Sequence, residues 1–180
     1  MATIRAMSRL GPIKLTLADV ADEAGLSPAA LIKRFGSKRA LLLAVSQAGS
    51  SGMAESLAAL RHSQRSPLDA LLIATTYLAR HTKSAEELAN HLAFLQIDVT
   101  DPDFRKPMLE ISRATLAGYE ALLRDAIKAG ELRPCDTKAL ARAISAVVGG
   151  SLISWAVFRK GSAERWVRAD VETVLAPHRR

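Results

Sequence analysis

The chain has 180 residues, of which 49% are hydrophobic and 24% charged, and it carries a formal net charge of +7 at pH 7. This length and apolar content allow a small domain and a larger one with a real core, which excludes a disordered tail. The excess of positive charge suits a polyanionic partner, either nucleic acid or an anionic membrane surface.

The positive charge is concentrated near the amino terminus. Residues 1–50 hold seven Lys or Arg against three Asp or Glu, whereas the rest of the chain holds 18 against 15. No signal-peptide pattern is present, and the longest apolar stretch, Ile144 to Phe158, is shorter than the roughly 20 residues that span a bilayer. The single cysteine, Cys135, permits no internal disulfide. We therefore expect a soluble, cytoplasmic protein with no membrane partner.

The first predicted element is a short helix over residues 2–10, which Gly11-Pro12 ends. The next stretch, residues 16–42, reads TLADVADEAGLSPAALIKRFGSKRALL. Its apolar residues recur in steps of three and four from Leu17, and Thr16 supplies a cap at the start of this helix. Gly25 suits the left-handed residue that ends it.

A second helix begins at Pro28 with Ser27 as its N-cap, and Gly36 ends it. Two short helices joined by a turn of three or four residues form a helix-turn-helix, whose second helix enters the DNA major groove. We expect the basic and hydroxyl side chains to contact the DNA backbone and the small residues to lie nearest the bases. The predicted DNA-binding residues are Thr16, Ser27, Pro28, Ala29, Ala30, Lys33, Arg34, Ser37 and Lys38. The alternative is a small helical corner with solvated lysines.

This block resembles the DNA-binding domain of the TetR family of one-component transcriptional regulators, which has the pattern IAxxAGxSxxxLYxHFxSKxxL. The residues in register are Val20, Ala21, Ala24, Gly25, Ser27, Leu31, Phe35, Ser37, Lys38 and Leu41. The chain departs from the pattern at Ile32, where the family has tyrosine, and at Arg34, where it often has histidine. The first change removes a phenolic phosphate contact, and the second supplies a permanent cation. The resemblance also implies a longer first helix that follows a basic arm.

The third helix of the motif begins at Lys38 and is expected to continue into the next domain. The sequence Gly49-Ser50-Ser51-Gly52 lowers its helix propensity, because each glycine costs about 1 kcal/mol relative to alanine. These glycines are either tolerated within a long helix, or they break it or form a hinge.

Further helices are predicted after Pro67, around Leu88 to Val99, from Pro102 to about Ala129, after Asp136, and after Ser162. A helical bundle encloses small molecules between its middle helices. We expect a mostly hydrophobic, uncharged ligand, oriented by a histidine or a tyrosine hydroxyl. The candidate lining residues, each of which could equally be plain core, are Tyr77, His91, Phe94, Leu95, Met108, Ile111, Tyr119 and Trp155.

The resemblance implies that the last two long helices join those of a second subunit in a four-helix bundle. Their apolar residues are therefore the candidate dimer interface. These are Ile144, Val147, Ser151, Trp155, Trp166, Val167, Val171 and Val174.

Catalytic patterns were not found in the sequence. It contains no G-x-S-x-G elbow, no glycine-rich phosphate loop, no H-E-x-x-H helix and no cysteine pair. Glu87 and His91 lie four residues apart, but two ligands are too few for a metal site. We predict no enzymatic activity, no metal and no cofactor.

The sequence thus predicts an all-α chain with a helix-turn-helix DNA-binding domain at residues 1–47. A helical ligand-binding and dimerisation domain follows at residues 48–180. The expected function is that of a homodimeric transcriptional regulator, a repressor that a small hydrophobic effector releases from a near-palindromic operator. The alternative is a helical small-molecule sensor that has lost DNA binding. The sequence does not identify the operator, the regulated genes or the effector, nor does it separate repression from activation.

Overall fold

The computed structural model describes residues 2–180, and within this range it contains helices and no β-strand. A single isolated bridge pairs Leu132 with Arg179. The helices are α1 (Ala2–Lys14), α2 (Leu17–Ala24), α3 (Pro28–Phe35), α4 (Lys38–Ser63), α5 (Pro67–His81), α6 (Ala85–Thr100), α7 (Pro102–Lys128), α8 (Thr137–Phe158) and α9 (Ala163–Leu175), followed by a 3₁₀ turn at Ala176–His178. The all-α prediction is confirmed.

Ser27 caps α3 as predicted, and capping side chains also lie at the starts of α5, α8 and α9. Ser27, Ser66 and Ser162 each accept a backbone N–H at the start of α3, α5 and α9, and Asp136 does so for α8. Helix α8 ends at Phe158, and the residue directly after it, Arg159, is left-handed with φ 52°.

The first helical segment of α1 ends at Gly11, as the sequence predicted. Gly11 has φ 73° and ψ 161°, outside helical geometry, and a further helical turn follows it to Lys14. A Cβ atom at Gly11 would collide with the side chain of Asn90. Glycine is therefore required here both by the backbone angle and by the close approach of α6.

Helix α4 runs without interruption through Gly49 and Gly52, which excludes a break at these residues. A Cβ atom at Gly49 would lie 3.9 Å from Ile111 Cδ1, and one at Gly52 would meet no atom within 4 Å. Neither glycine is thus required by packing. Whether they form a hinge stays open.

The described chain divides into two compact units. The first contains the residues up to Gly52 together with Glu86–Ile111. In its core, Ala6, Val20, Ala21 and Leu41 are buried with Phe104, and Phe94 and Ile97 pack against them. The sequence-based division at residue 47 stays a prediction, because this unit adds α6 and the first part of α7 to the helix-turn-helix.

The second unit contains Met53–Ala85 and Ser112–Arg180. Its helices α5, α8 and α9 pack on one another. Leu71, Ile144, Val167 and Val171 are completely buried among them. Within the described residues, α8 is long and apolar enough by length and composition to cross a membrane, and a third of its most apolar segment is buried inside the protein.

Candidate nucleic-acid interface

The helix-turn-helix is closed by local hydrogen bonds. The Leu26 N–H donates to the Ala21 carbonyl oxygen at 2.8 Å, and Gly25 has the left-handed φ of 65° that the turn requires. Val20 and Ala21 of α2 and Leu31 of α3 are buried. The two helices are therefore fixed in register by their core residues, and α3 turns its other side outward.

The outward face of α3 is basic and free of acidic residues. Lys33 and Arg34 are exposed in its last turn, and Pro28, Ala29 and Ala30 are exposed at its start. Arg34 also lies over the ring of Phe35, with its guanidinium carbon 5.2 Å from the ring centroid. The predicted DNA-contacting residues of α3 thus share one accessible surface, while contact with DNA itself stays a prediction.

The three predicted hydroxyl residues differ in what they can offer a phosphate. Ser27 Oγ accepts the Ala30 N–H and Ser37 Oγ accepts the Ala40 N–H, so each hydroxyl proton can still be donated outward. The Thr16 hydroxyl instead donates to Asp19 Oδ2 at 2.6 Å. Thr16 is therefore committed to its capping box and is a poor phosphate donor.

Asp19 completes this capping box. Hydrogen bonds from the side chain and the backbone of Thr16 hold the pKa of the Asp19 carboxyl below its usual range. The ionised carboxylate, in the first turn of α2, also interacts favourably with the positive end of the helix dipole. Both interactions fix the start of the helix that supports α3.

Lys38 lies differently from the sequence-based expectation. Its ammonium donates to the carbonyl oxygens of Pro12 and Ile13 at 3.1 and 3.2 Å. These are carbonyls near the end of α1, a position where a cation is favourable. Lys38 therefore ties α1 to the start of α4, and at most its third N–H can be offered to a phosphate.

The sequence did not indicate the ion pairs that brace this unit. Arg39 donates to Asp101 and Asp103 at 2.8 Å each and lies over the ring of Phe104. The two carboxylates raise the pKa of Arg39 further. Arg5 of α1 likewise pairs with Glu23 of α2 at 2.7 Å. These pairs join residues 18 to 64 positions apart, a distance that helical periodicity does not address.

The predicted ligand-lining residues are divided between the two compact units. His91, Phe94, Leu95, Met108 and Ile111 belong to the first compact unit, whereas Tyr77, Tyr119 and Trp155 belong to the second.

Two of these residues are poor candidates for a pocket wall. Tyr77 is 62% exposed, with its ring stacked at a tilt on His81. Trp155 is buried and donates its indole N–H to the Gly161 carbonyl oxygen at 3.1 Å, so its polar atom has a structural partner.

Tyr119 and His91 are both at least half-buried, as expected of polar groups that orient a ligand. Tyr119 is 6% exposed, and burial raises the pKa of its hydroxyl to about 12. His91 is half-buried, with Nε2 3.3 Å from Ser8 Oγ, and burial lowers its pKa. The structure thus supports an orienting role for either group, and their ligand contacts stay predictions.

A surface cavity of about 210 Å³ has a different composition from the predicted pocket. Arg61, Arg124, Asp125 and Lys128 line it with Ala121, and Arg61 pairs with Asp125 across it at 2.9 Å. No predicted ligand residue belongs to this cavity. Its charged walls do not suit the hydrophobic ligand that the sequence predicted.

A carboxylate that the sequence analysis did not select lies on the buried side of α6. Asp98 is 8% exposed, and burial raises its pKa to about 6. The available signal was its spacing, since Asp98 follows His91 by seven residues and Phe94 by four. An acidic residue on such an apolar face merits attention as a binding group.

Most residues of the predicted dimer interface face the interior of the chain. Ile144, Ser151, Trp155, Val167 and Val171 are buried inside the chain, so they cannot also form a surface for a partner. Ser151 donates to Asp170 at 2.5 Å across α8 and α9. Val147, Trp166 and Val174 are partly exposed. The outward side of α8 instead presents Ala146, Gly149, Gly150, Ile153 and Val157.

Comparison with known proteins agrees with this architecture. Residues 1–45 match the family model described as bacterial regulatory proteins, tetR family. No curated protein matches the chain in sequence.

Three solved structures illustrate the likeness in fold. The regulator PfmR from Thermus thermophilus is 24% identical, with a TM-score of 0.65 over 97% of this chain and 94% of its own. FadR from Bacillus subtilis, solved in complex with stearoyl-CoA, is 15% identical, with a TM-score of 0.65 over 97% and 95%. A protein from Saccharomonospora viridis, solved in complex with choline, is 18% identical, with a TM-score of 0.72 over 99% and 98%.

Regulators of this family are DNA-binding proteins without enzymatic activity, which confirms the non-enzymatic prediction. Residues 1–45 thus match the tetR family of bacterial regulatory proteins, and the whole chain shares the all-α fold of solved TetR-family regulators.

Proposed function

We propose that the chain is a homodimeric, cytoplasmic repressor that a small, mostly hydrophobic effector releases from a near-palindromic operator. The observation that carries the DNA-binding part is the outward face of α3. It combines exposed Lys33 and Arg34 with small residues at the helix start, above a buried Leu31. Small residues let the helix backbone approach base edges, and the cations neutralise phosphates.

A second copy of the chain is the partner that the outward face of α8 fits. Ile153 is 50% exposed, Val157 is 74% exposed, and a Cβ atom at Gly149 or Gly150 would meet nothing within 4 Å. Such a face, apolar and with small residues at its centre, allows two helices to pack closely. A symmetric pair of chains would place two α3 helices on half-sites one helical turn or more apart.

Effector control is supported by the link between α6 and α1. Asn90 Nδ2 donates to the Ser8 carbonyl oxygen at 2.8 Å and to the Arg9 carbonyl oxygen at 3.2 Å, next to the hydrogen bond of His91 with Ser8. Helix α1 packs in turn on α2 of the helix-turn-helix. An effector that favours another position of α6 would therefore change the position of α1 and lower DNA affinity.

The solved relatives leave the chemistry of the effector open. One of them holds stearoyl-CoA and another holds choline. These molecules differ in size and in charge, so the fold accommodates dissimilar ligands. The residues of this chain must decide which class it binds.

The test is to incubate the purified protein with sheared genomic DNA from its source at moderate salt and to sequence the retained fragments. We expect one recurring near-palindrome, whose half-site spacing reports the dimer geometry and whose neighbouring genes point to the effector class. Retention of fragments without any shared sequence would contradict specific recognition. A folded dimer that retains no DNA would favour a sensor without DNA binding.

A further inference from the structure

The buried side of α6 carries a negative charge among apolar neighbours. Asp98 is 8% exposed, and Leu88, His91 and Phe94 precede it on the same side of the helix at steps of three and four residues. Leu88 is buried, and His91 and Phe94 are half-buried. Asp98 is thus part of an inward-facing stripe and does not belong to the solvated side of α6.

This carboxylate has no partner within residues 2–180. No hydrogen bond or ion pair reaches Asp98, whereas nearby Asp101 and Asp103 share Arg39, and Asp125 pairs with Arg61. Burial is accordingly the one cause that acts on its pKa, which rises to about 6. An unpaired charge in such a place destabilises the folded protein, so its presence calls for a function.

The carboxylate oxygens also border accessible space. No fully buried side-chain oxygen or nitrogen among the described residues lacks a hydrogen-bond partner. Since Asp98 has no such partner, its oxygens must retain contact with solvent. Asp98 is therefore largely buried as a residue, while its carboxylate stays in contact with solvent.

We propose that Asp98 binds the positive charge of the effector, and that the effector is an organic ammonium compound with an apolar body. This inference rests on the proposed function of an effector-controlled regulator. Phe94 precedes Asp98 by one helical turn on the same side of α6, and aromatic rings attract ammonium groups. The apolar body matches the residues that accompany Asp98 on α6.

A divalent metal fits this position poorly. Among the described residues, no three His, Cys, Asp or Glu side chains converge to hold a metal ion. Zinc needs three or four protein ligands, and calcium needs more. An organic cation needs one carboxylate and an apolar surround.

The experiment compares three probes with the same hydrocarbon chain: hexyltrimethylammonium, 1-hexanol and hexanoate. Binding is measured by titration calorimetry and by the shift in Tm at constant ionic strength. We expect the wild-type protein to bind the ammonium compound and to bind the alcohol and the carboxylate at least tenfold more weakly. Asp98→Asn keeps the shape of the side chain, and we expect it to weaken ammonium binding roughly tenfold or more.

Glu55→Gln is the matched control, because Glu55 is an exposed acid on α4 whose replacement removes the same charge. This variant should bind like the wild type. Equal affinity of the wild-type protein and Asp98→Asn for hexyltrimethylammonium would overturn the proposal. So would binding of hexanol as tight as that of the ammonium compound, or no ammonium binding by the wild type.

Failure of this inference can be told apart from failure of the proposed function. Retention of a specific DNA fragment, together with ammonium binding that does not depend on Asp98, would reject the inference and leave the regulator intact. Asp98-dependent ammonium binding by a protein that retains no DNA would support the ammonium site and reject the proposed DNA-binding function.

Discussion

The ammonium of Lys38 lies 3.1 Å from the carbonyl oxygen of Pro12, so a residue expected to hold a DNA phosphate also closes the end of α1 within the protein. Sequence pattern alone could not show this contact, because the partners are 26 residues apart. Its presence gives Lys38 two roles that experiment can separate.

Lys38→Ala should therefore weaken both folding and DNA binding. Loss of the ammonium leaves the Pro12 and Ile13 carbonyls without their donor, which we expect to cost about 1 kcal/mol of unfolding free energy. If the third N–H contacts a phosphate, log K should also depend less steeply on log salt, by about one unit.

Lys33→Ala serves as the comparison, since Lys33 is exposed on α3. It should reduce the salt dependence without changing Tm. A Tm loss in Lys38→Ala with an unchanged salt dependence would show that Lys38 is purely structural. A changed sequence preference would instead place Lys38 at the bases.

Ile32→Tyr should strengthen DNA binding without altering the fold. Ile32 is 53% exposed on α3, at the position where the family pattern has tyrosine. A phenolic hydroxyl there could donate to a phosphate, which would stabilise the complex by about 1 kcal/mol, or roughly fivefold in affinity. Ile32→Phe supplies the ring without the hydroxyl. Equal gains from both variants would attribute the effect to apolar contact.

Replacing Gly49 and Gly52 with alanine tests the hinge. Both positions accept a Cβ atom, so the double variant should raise the unfolding free energy by about 1–2 kcal/mol through helix propensity alone. A hinge further requires that amides at residues 49–53 of the wild type exchange hydrogen faster than the flanking turns of α4, and that the double variant slows them. Ser51→Ala, which keeps both glycines, is the control. Uniform exchange along α4 would mean that the glycines are merely tolerated.

Asp98 should make stability depend on pH in an unusual direction. Burial raises its folded pKa to about 6, against about 3.9 in the unfolded chain. Between these values the folded state binds more protons, so the free energy of unfolding falls as pH rises from about 4 to 6. We expect a loss on the order of 1–2 kcal/mol, which Asp98→Asn removes. Chemical denaturation from pH 4.5 to 7.5 measures it.

His91, on the same helix, changes the pH dependence of stability in the opposite direction. Burial lowers its folded pKa from the ordinary value, so the unfolded state binds more protons just below pH 6.5 and stability falls as pH decreases there. In Asp98→Asn this His91 effect should remain visible by itself. A wild-type profile and an Asp98→Asn profile of the same shape would contradict a buried, ionised Asp98.

What the sequence predicted well is local. Thr16 with Asp19, and Ser27 with Pro28, determine where α2 and α3 begin, because a cap acts on amides within one turn. The exposure of Lys33 and Arg34 follows from the helical repeat of α3, in which Leu31 is the buried residue. Asp98 was missed although its spacing from His91 and Phe94 was a local signal, because its burial depends on elements that are distant in sequence.

The face of α8 was predicted wrongly for a related reason. Ile144 and Trp155 lie on one side of this helix, and Ile153 and Val157 lie on another. Both sides are apolar, so the helical period cannot decide which one packs inside the chain. The contacts with α5 and α9 decide it.

Ile153→Glu should consequently separate the proposed dimer into monomers. Ile153 is half-exposed in the chain, so the substitution should leave the monomer fold intact, whereas in a dimer it would bury an unpaired charge. We expect the dimer dissociation constant, measured by sedimentation equilibrium, to rise at least a hundredfold and DNA affinity to fall with it. Ala59→Glu adds the same charge at an exposed position of α4 and should remain dimeric. A dimeric Ile153→Glu would place the interface on another surface.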